Sequence, residues 1–433
     1  MKILIKNGRV INSATGFDEI CDLAIAASKV VAIKNIASDF VPNKTIDATG
    51  CIVAPGLVDL AARLREPGYE HEGMLQSELA AAVAGGVTSL VCMPDTDPVL
   101  DEPGLVEMLK FRAEKLHQSH VFPLGALTVN LKGEVLTEMV GLAEAGCVGF
   151  SQAEVPLGNT QVLQRALQYA STFGYTIWLR PQDMHLGKGV AASGALATRM
   201  GLSGVPVAAE TIALHTIFEL MKSTQAKVHI CRISSAAGVA LVRQAKAEGL
   251  QVSCDVSINS LHLTDVDLGY FDSRARLNPP LRQQRDRDAL RAALLDGTID
   301  ALVSDHTPVD EDAKTLPFAE AEAGATGLEL LLSLALKWQS ESSDKSLTLA
   351  KTLATVTSQP AKVLSANLPV ANATLGQLVE GGAADICIFD PQAMWVVADD
   401  TLRSQGKHTP FSGYELPGQV RATLVSGHVA FER

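Results

Sequence analysis

With 433 residues, 47% of them hydrophobic and 19% charged, the chain is long enough to bury a large core, and a barrel would absorb most of that length as one domain. A formal charge of -12 argues against nucleic acid or an anionic membrane surface as partner, because either needs a basic face. Seven cysteines (Cys21, Cys51, Cys92, Cys147, Cys231, Cys254, Cys387) without a CxxC pair, mostly in apolar runs, point to reduced, packed thiols. No run approaches the roughly 18 apolar residues of a membrane span. The opening MKILIKNGRVI reads as an alternating strand rather than a secretory leader, so a cytoplasmic location is expected.

Residues 1–52 (ILIKNGRVIN, CDLAIAASKVVAIKN, KTIDATG) read as short alternating strands with Gly, Asn and Asp turns. Then come CIVAPGLVDLAARLR, TSLVCMPD, HVFPLGAL, CVGFSQ, TIWLRPQD, KVHICRIS, QVSCDVS and ALVSDHT. Stretches with helical spacing, such as MLQSELAAAVAGG, ALQYASTFG and GVALVRQAKAEG, separate them. Eight strands alternating with crossover helices predict an α/β fold, a parallel (β/α)8 TIM-type barrel over residues 53–367. Residues 368–433 (DICIFDP, MWVVADD, VRATLVSGHVAFE) return to short strands, predicted to join residues 1–52 in a composite β-sandwich beside the barrel. The acidic VDEDAK at Val309–Lys314 reads as a solvated loop.

Chemistry in such a barrel sits where strands end at the C-terminal face. The residues at those tips are Ala61 and Arg63 on the first strand, Gln152 on the fourth, Arg180 on the fifth, Arg232 on the sixth and Asp305 on the eighth. His306 would face the opposite side of its strand as a hydrogen-bonded core histidine. His117 and His120 are expected on an exposed helix (FRAEKLHQSH), and His229 and Cys231 as packed side chains.

PGLVDL, LREPG, MPDT, GFS, HICRISSAAG, NPPLR and SDHTP, in that order along essentially the whole chain, resemble dihydroorotase of the cyclic amidohydrolase superfamily. The resemblance implies interconversion of carbamoyl-aspartate and dihydroorotate at a zinc site. That site takes His-x-His from strand one, a bridging carboxylate from strand four, one His each from strands five and six, and an Asp from strand eight. Carried over, these positions fall on Ala61 and Arg63, Gln152 (Ala153 with a shift of one), Arg180, Arg232 and Asp305. Only Asp305 matches. Glu154 and His185 are nearby donors without the family setting, and a guanidinium offers no lone pair to a metal. Metal coordination lowers the pKa of water from about 15.7 to about 7, so neither zinc nor hydrolysis is expected here. Instead, Arg63, Arg180 or Arg232 is expected to take the metal's place and pair with Asp305; the alternative is that these arginines snorkel into solvent.

Arg65 and Asn278 match family residues that contact the substrate, Asp95 replaces the family's asparagine, and Val309 its histidine. Arg65 equally reads as an ion pair with Glu66. The resemblance thus implies a non-catalytic dihydroorotase-like protein. Such homologues partner aspartate transcarbamoylase in bacteria and support its assembly, so a hetero-oligomer and self-association are expected. The alternatives are an active amidohydrolase with a rearranged site, and a carboxylate-metabolite sensor using Arg65 and Asn278.

Overall fold

Alternating apolar side chains draw the N-terminal segment into a sheet. In the computed structural model, which describes residues 1–365, 368 and 373–433, β1 (Ile3–Asn12) pairs antiparallel with β2 (Phe17–Ala26), and β2 with β3 (Lys29–Ile33). The other edge of β1 takes β4 (Lys44–Asp47) and β5 (Ile52–Pro55) in parallel. Ile3, Ile5, Val10, Leu23 and Val53 are fully buried on the inner face.

The barrel begins immediately afterwards. Its strands are β6 (Leu57–Ala62), β7 (Val87–Cys92), β8 (His120–Pro123), β9 (Gly125–Ala126), β10 (Phe150–Ser151) and β11 (Thr176–Leu179). After an excursion carrying the small parallel pair β12 (Ala191–Ala192) and β13 (Gly204–Val205), the barrel resumes with β14 (Lys227–Ile230), β15 (Val252–Ser257) and β16 (Ala301–Val303). β8 and β9 are one barrel strand interrupted at Leu124, which leaves the eight expected positions. Neighbours are parallel throughout, and Ala62 bridging to His306 closes the ring between the last strand and the first. Every residue of β6 and β7 is buried, as expected of parallel strands covered on both faces.

The crossover helices follow local chemistry. Thr160–Phe173 starts where the Asn159 side chain accepts from the amides of Gln161 and Val162, buries Val162, Leu163, Ala166, Leu167 and Ala170 at three- and four-residue spacing, and stops at left-handed Gly174. The helix Pro103–Lys115 ends before both histidines that the sequence places on it. His120 instead opens β8, half-buried, with Nε2 3.3 Å from Asp385.

The chain then returns to the terminal sheet through β17 (Ile386–Val396), β18 (Glu415–Val425) and β19 (His428–Glu432), with β17 antiparallel to β5. Both termini therefore build one sheet in the order β19-β18-β17-β5-β1-β2-β3. The predicted boundary between 52 and 53 falls inside β5. Hydrogen bonding to β1 and β17 keeps Ile52–Pro55 in the sheet, so the barrel starts at Leu57. At the other predicted boundary, position 367 lies outside the described residues. No helix among the described residues is long and apolar enough to cross a membrane.

Candidate functional site at the barrel mouth

The strand tips converge on one ion network. Arg63, just past β6, donates through Nε to Asp95 at 2.8 Å, through Nη1 to Thr307 at 3.1 Å and through Nη2 to Glu154 Oε1 at 2.7 Å. Arg180, just past β11, donates to Glu154 Oε2 at 2.7 Å and to the Asn278 amide oxygen at 2.5 Å. Arg232, just past β14, reaches Glu154 Oε1 with Nη2 and Asp305 Oδ1 with Nη1, the latter at 3.0 Å. Asn278 completes the set by donating to Glu154 Oε2 at 2.8 Å. Three guanidiniums thus face the carboxylates of Asp95, Glu154 and Asp305. The arginine side chains are only 6%, 7% and 3% exposed, which rules out snorkelling into solvent.

Glu154 is the hub. Burial alone would raise its pKa, but the charges of Arg232, Arg180 and Arg63 outweigh that and hold it well below the usual carboxylate range. Asp305 moves the other way, because burial outweighs the pull of Arg232 and Arg63 and Glu154 adds repulsion. Arg232 is held firmly protonated against its burial by Glu154 and Asp305.

Backbone geometry decides which side chains arrive. Ala153, at φ 49°, breaks the strand alternation after β10, so the mouth receives Glu154. Gln152 turns away; it accepts from Thr128 Oγ1 at 2.9 Å and donates to the Leu131 carbonyl at 2.6 Å. Arg65, Arg232 and Asp305 also sit at positive φ, at 63°, 56° and 52°, a conformation uncommon for arginine and more readily adopted by aspartate. Ala61 packs in an apolar cluster below the mouth with Val58, Leu60 and Val91. His185 lies exposed in the loop after β11.

The substrate-contact positions are already engaged. Arg65 ion-pairs with Glu72 at 2.6 Å and donates to the Pro308 carbonyl at 2.8 Å; Glu66, its expected partner, pairs with Arg112. Asn278 and Asp95 belong to the network, and Val309 is buried. The open cleft over the network measures about 230 Å³ and is lined by these same charged side chains. His306 is the expected core histidine: fully buried, it sits 2.8 Å from Glu78 through Nε2 and accepts the Gly327 amide at Nδ1.

These donors do not fit a zinc ion. Ala61, Arg63, Arg180 and Arg232 offer it no lone pair, and the carboxylates of Glu154 and Asp305 are bound by guanidiniums, whereas zinc needs at least three N, S or carboxylate ligands. Among the described residues, the metal-competent cluster is His229, Cys231 and Asp255, lower in the barrel. There His229 spends both nitrogens on Ser253 and Asp255, each at 2.8 Å.

The sequence offers Glu154 only as a substitute metal ligand and gives no sign of Thr307 or Glu72. The available signal is a carboxylate two residues past the fourth strand tip in a chain that carries arginines at three other strand tips.

Residues 50–237 match the family model described as dihydro-orotase-like. The chain is 43% identical over 433 residues to a protein of Pseudomonas aeruginosa named dihydroorotase-like protein, covering 100% of both. It is 38% identical over 434 residues to a protein of Geobacter metallireducens named dihydroorotase, again covering 100% of both. Among solved structures, the L-hydantoinase (dihydropyrimidinase) of Arthrobacter aurescens superposes with a TM-score of 0.87 at 25% identity, over 99% of this chain and 96% of that one. A D-hydantoinase of Thermus sp. gives 0.84 at 20% identity over 99% and 95%, a likeness of fold alone. By whole-length similarity and by the barrel with its terminal sheet, the chain belongs to the dihydroorotase-like family of amidohydrolase-fold proteins.

Proposed function

We propose that this chain is a non-catalytic dihydroorotase-like protein of pyrimidine biosynthesis that holds no zinc and supports the assembly and activity of aspartate transcarbamoylase. The observation that carries this reading is Glu154 bound by Arg63, Arg180 and Arg232 at the place where the family resemblance puts a metal. An uncompensated carboxylate pair at a barrel mouth is costly, and the guanidiniums neutralise it without leaving a Lewis acid. An intact barrel with no evident chemistry of its own fits a role exerted through a partner. The relatives named dihydroorotase make active hydrolysis the rival reading, and it needs a ligand set that these tips do not supply. Engagement of Arg65 and Asn278 within the protein likewise speaks against a carboxylate sensor.

Mixing the purified chain with aspartate transcarbamoylase from the same organism tests the role. Binding to the native state alone raises a partner's stability by about 2.7 kcal/mol at a hundredfold excess over Kd. The mixture should elute as one large species in which the transferase melts higher and turns over faster than alone. Separate elution with unchanged melting and activity would contradict it.

A further inference from the structure

The loops after β15 and before β16, and after β16, carry unusually exposed apolar side chains. Tyr270 is 102% exposed, Val266 69%, and Phe271 and Leu316 47% each. Single exposed apolar residues are ordinary, but adjacent aromatics beside aliphatic residues on one rim are not. The backbone holds them there. Gly269 and Phe271 adopt φ 51° and 64°, the second a conformation that bulky side chains avoid. The segment is pinned at its base, where buried Leu268 accepts from the Asp272 amide at 3.0 Å. Ser273 then donates to the Lys314 carbonyl at 2.5 Å, which brings Leu316, two residues on, to the same rim. Lys314 Nζ fastens both loops by donating to the carbonyls of Arg276 and Glu322, at 3.0 and 2.6 Å.

The two loops that carry these residues are rich in carboxylates. Residues 264–274 contribute Asp265, Asp267 and Asp272, and residues 309–320 contribute Asp310, Glu311, Asp312 and Glu320. The basic residues of these two stretches are Arg274, which pairs with Asp272 at 2.8 Å, and Lys314, which is buried and has its pKa lowered to about 7 by that burial. Such an acidic pair of loops repels nucleic acid and anionic lipid, and it complements a basic protein surface. Tyrosine and phenylalanine are among the residue types enriched at the cores of protein interfaces.

We propose that the rim formed by Val266, Tyr270, Phe271 and Leu316 is a docking surface for a partner protein that presents an apolar pocket edged by lysines and arginines. The proposal rests on the reading that this chain acts through a partner, and it assigns the face used.

The test measures calorimetric association of the full chain with aspartate transcarbamoylase at low and high ionic strength. Tyr270→Ala with Phe271→Gly, which removes the rings and relaxes the left-handed backbone, should weaken binding about tenfold or more. Glu311→Gln with Asp312→Asn, both exposed, should flatten the salt dependence of Kd. Wild-type binding with both variants within about twofold and equally salt-sensitive would overturn the surface assignment while the proposed function stands. No binding by the wild type would overturn the proposed function and the assignment with it. Unchanged transferase binding, with the Tyr270/Phe271 variant alone falling to a smaller species than the wild-type chain, would give the rim to a second copy and overturn the partner assignment.

Discussion

Glu154 and the three arginines around it stand or fall together, because each guanidinium is buried and shares its carboxylate partners with the others. Glu154→Gln leaves Arg63 with Asp95 and Arg232 with Asp305, and takes from Arg180 the carboxylate it is paired with. The expected loss is about 3 kcal/mol by denaturant unfolding, the lower end for a broken buried pair, because the Glu154 side chain keeps 30% of its surface in solvent. The pH dependence follows from the lowered pKa of Glu154. Its stabilisation is complete above the unfolded value of about 4.3 and disappears as pH falls through the folded value below it. Wild-type stability should therefore fall on acidification below about pH 4, and Glu154→Gln should show a shallower acid limb in unfolding followed by circular dichroism. Asp305 shifts oppositely and works against this slope. A cycle of Arg232→Ala with Asp305→Ala should give a coupling of about 0.5 to 3 kcal/mol. Arg232→Ala should cost more than Asp305→Ala, because Arg232 also serves Glu154. Strict additivity by denaturant unfolding would break the pairing.

Loops rather than strands decide what the mouth contains. Lys314 ties the loop after β16 to the loop that carries Arg276 and Asn278 by donating to the Arg276 carbonyl, and it braces its own loop by donating to that of Glu322, while burial lowers its pKa to about 7. Lys314→Met should leave the barrel folded and raise amide hydrogen exchange across residues 309–325 and 273–278, with little change in β6 or β7. Equal protection in both regions would show that the latch carries no load. The strands were legible in the sequence because parallel strands buried on both faces read as apolar runs, VTSLVC being one. The tips were legible where the chain stays extended, as at Arg63 and Arg180. The fourth tip was not, because left-handed Ala153 swaps Gln152 for Glu154 and no pattern of hydrophobicity announces a single residue at positive φ. His120 was misplaced for a related reason: FRAEKLHQSH continues a helical spacing past Lys115, while His117 turns left-handed and ends it. The 52–53 boundary slipped because strand pairing, not composition, assigns Ile52–Pro55 to the terminal sheet.

The whole molecule keeps the barrel and terminal sheet of its family while the charged groups at its mouth are paired with one another. Replacing Ala61 and Arg63 by histidine should not produce hydrolysis, since Arg180 and Arg232 still occupy Glu154, and the double variant should stay at blank in a zinc-supplemented assay. The most direct measurement is turnover of the purified wild-type chain with dihydroorotate and with carbamoyl-aspartate in the presence of added zinc, with bound metal determined on the same sample. The prediction is no rate above blank in either direction and no stoichiometric zinc retained after mild chelation. A steady rate in either direction that disappears in Asp305→Ala, accompanied by about one or more zinc ions per chain, would contradict it.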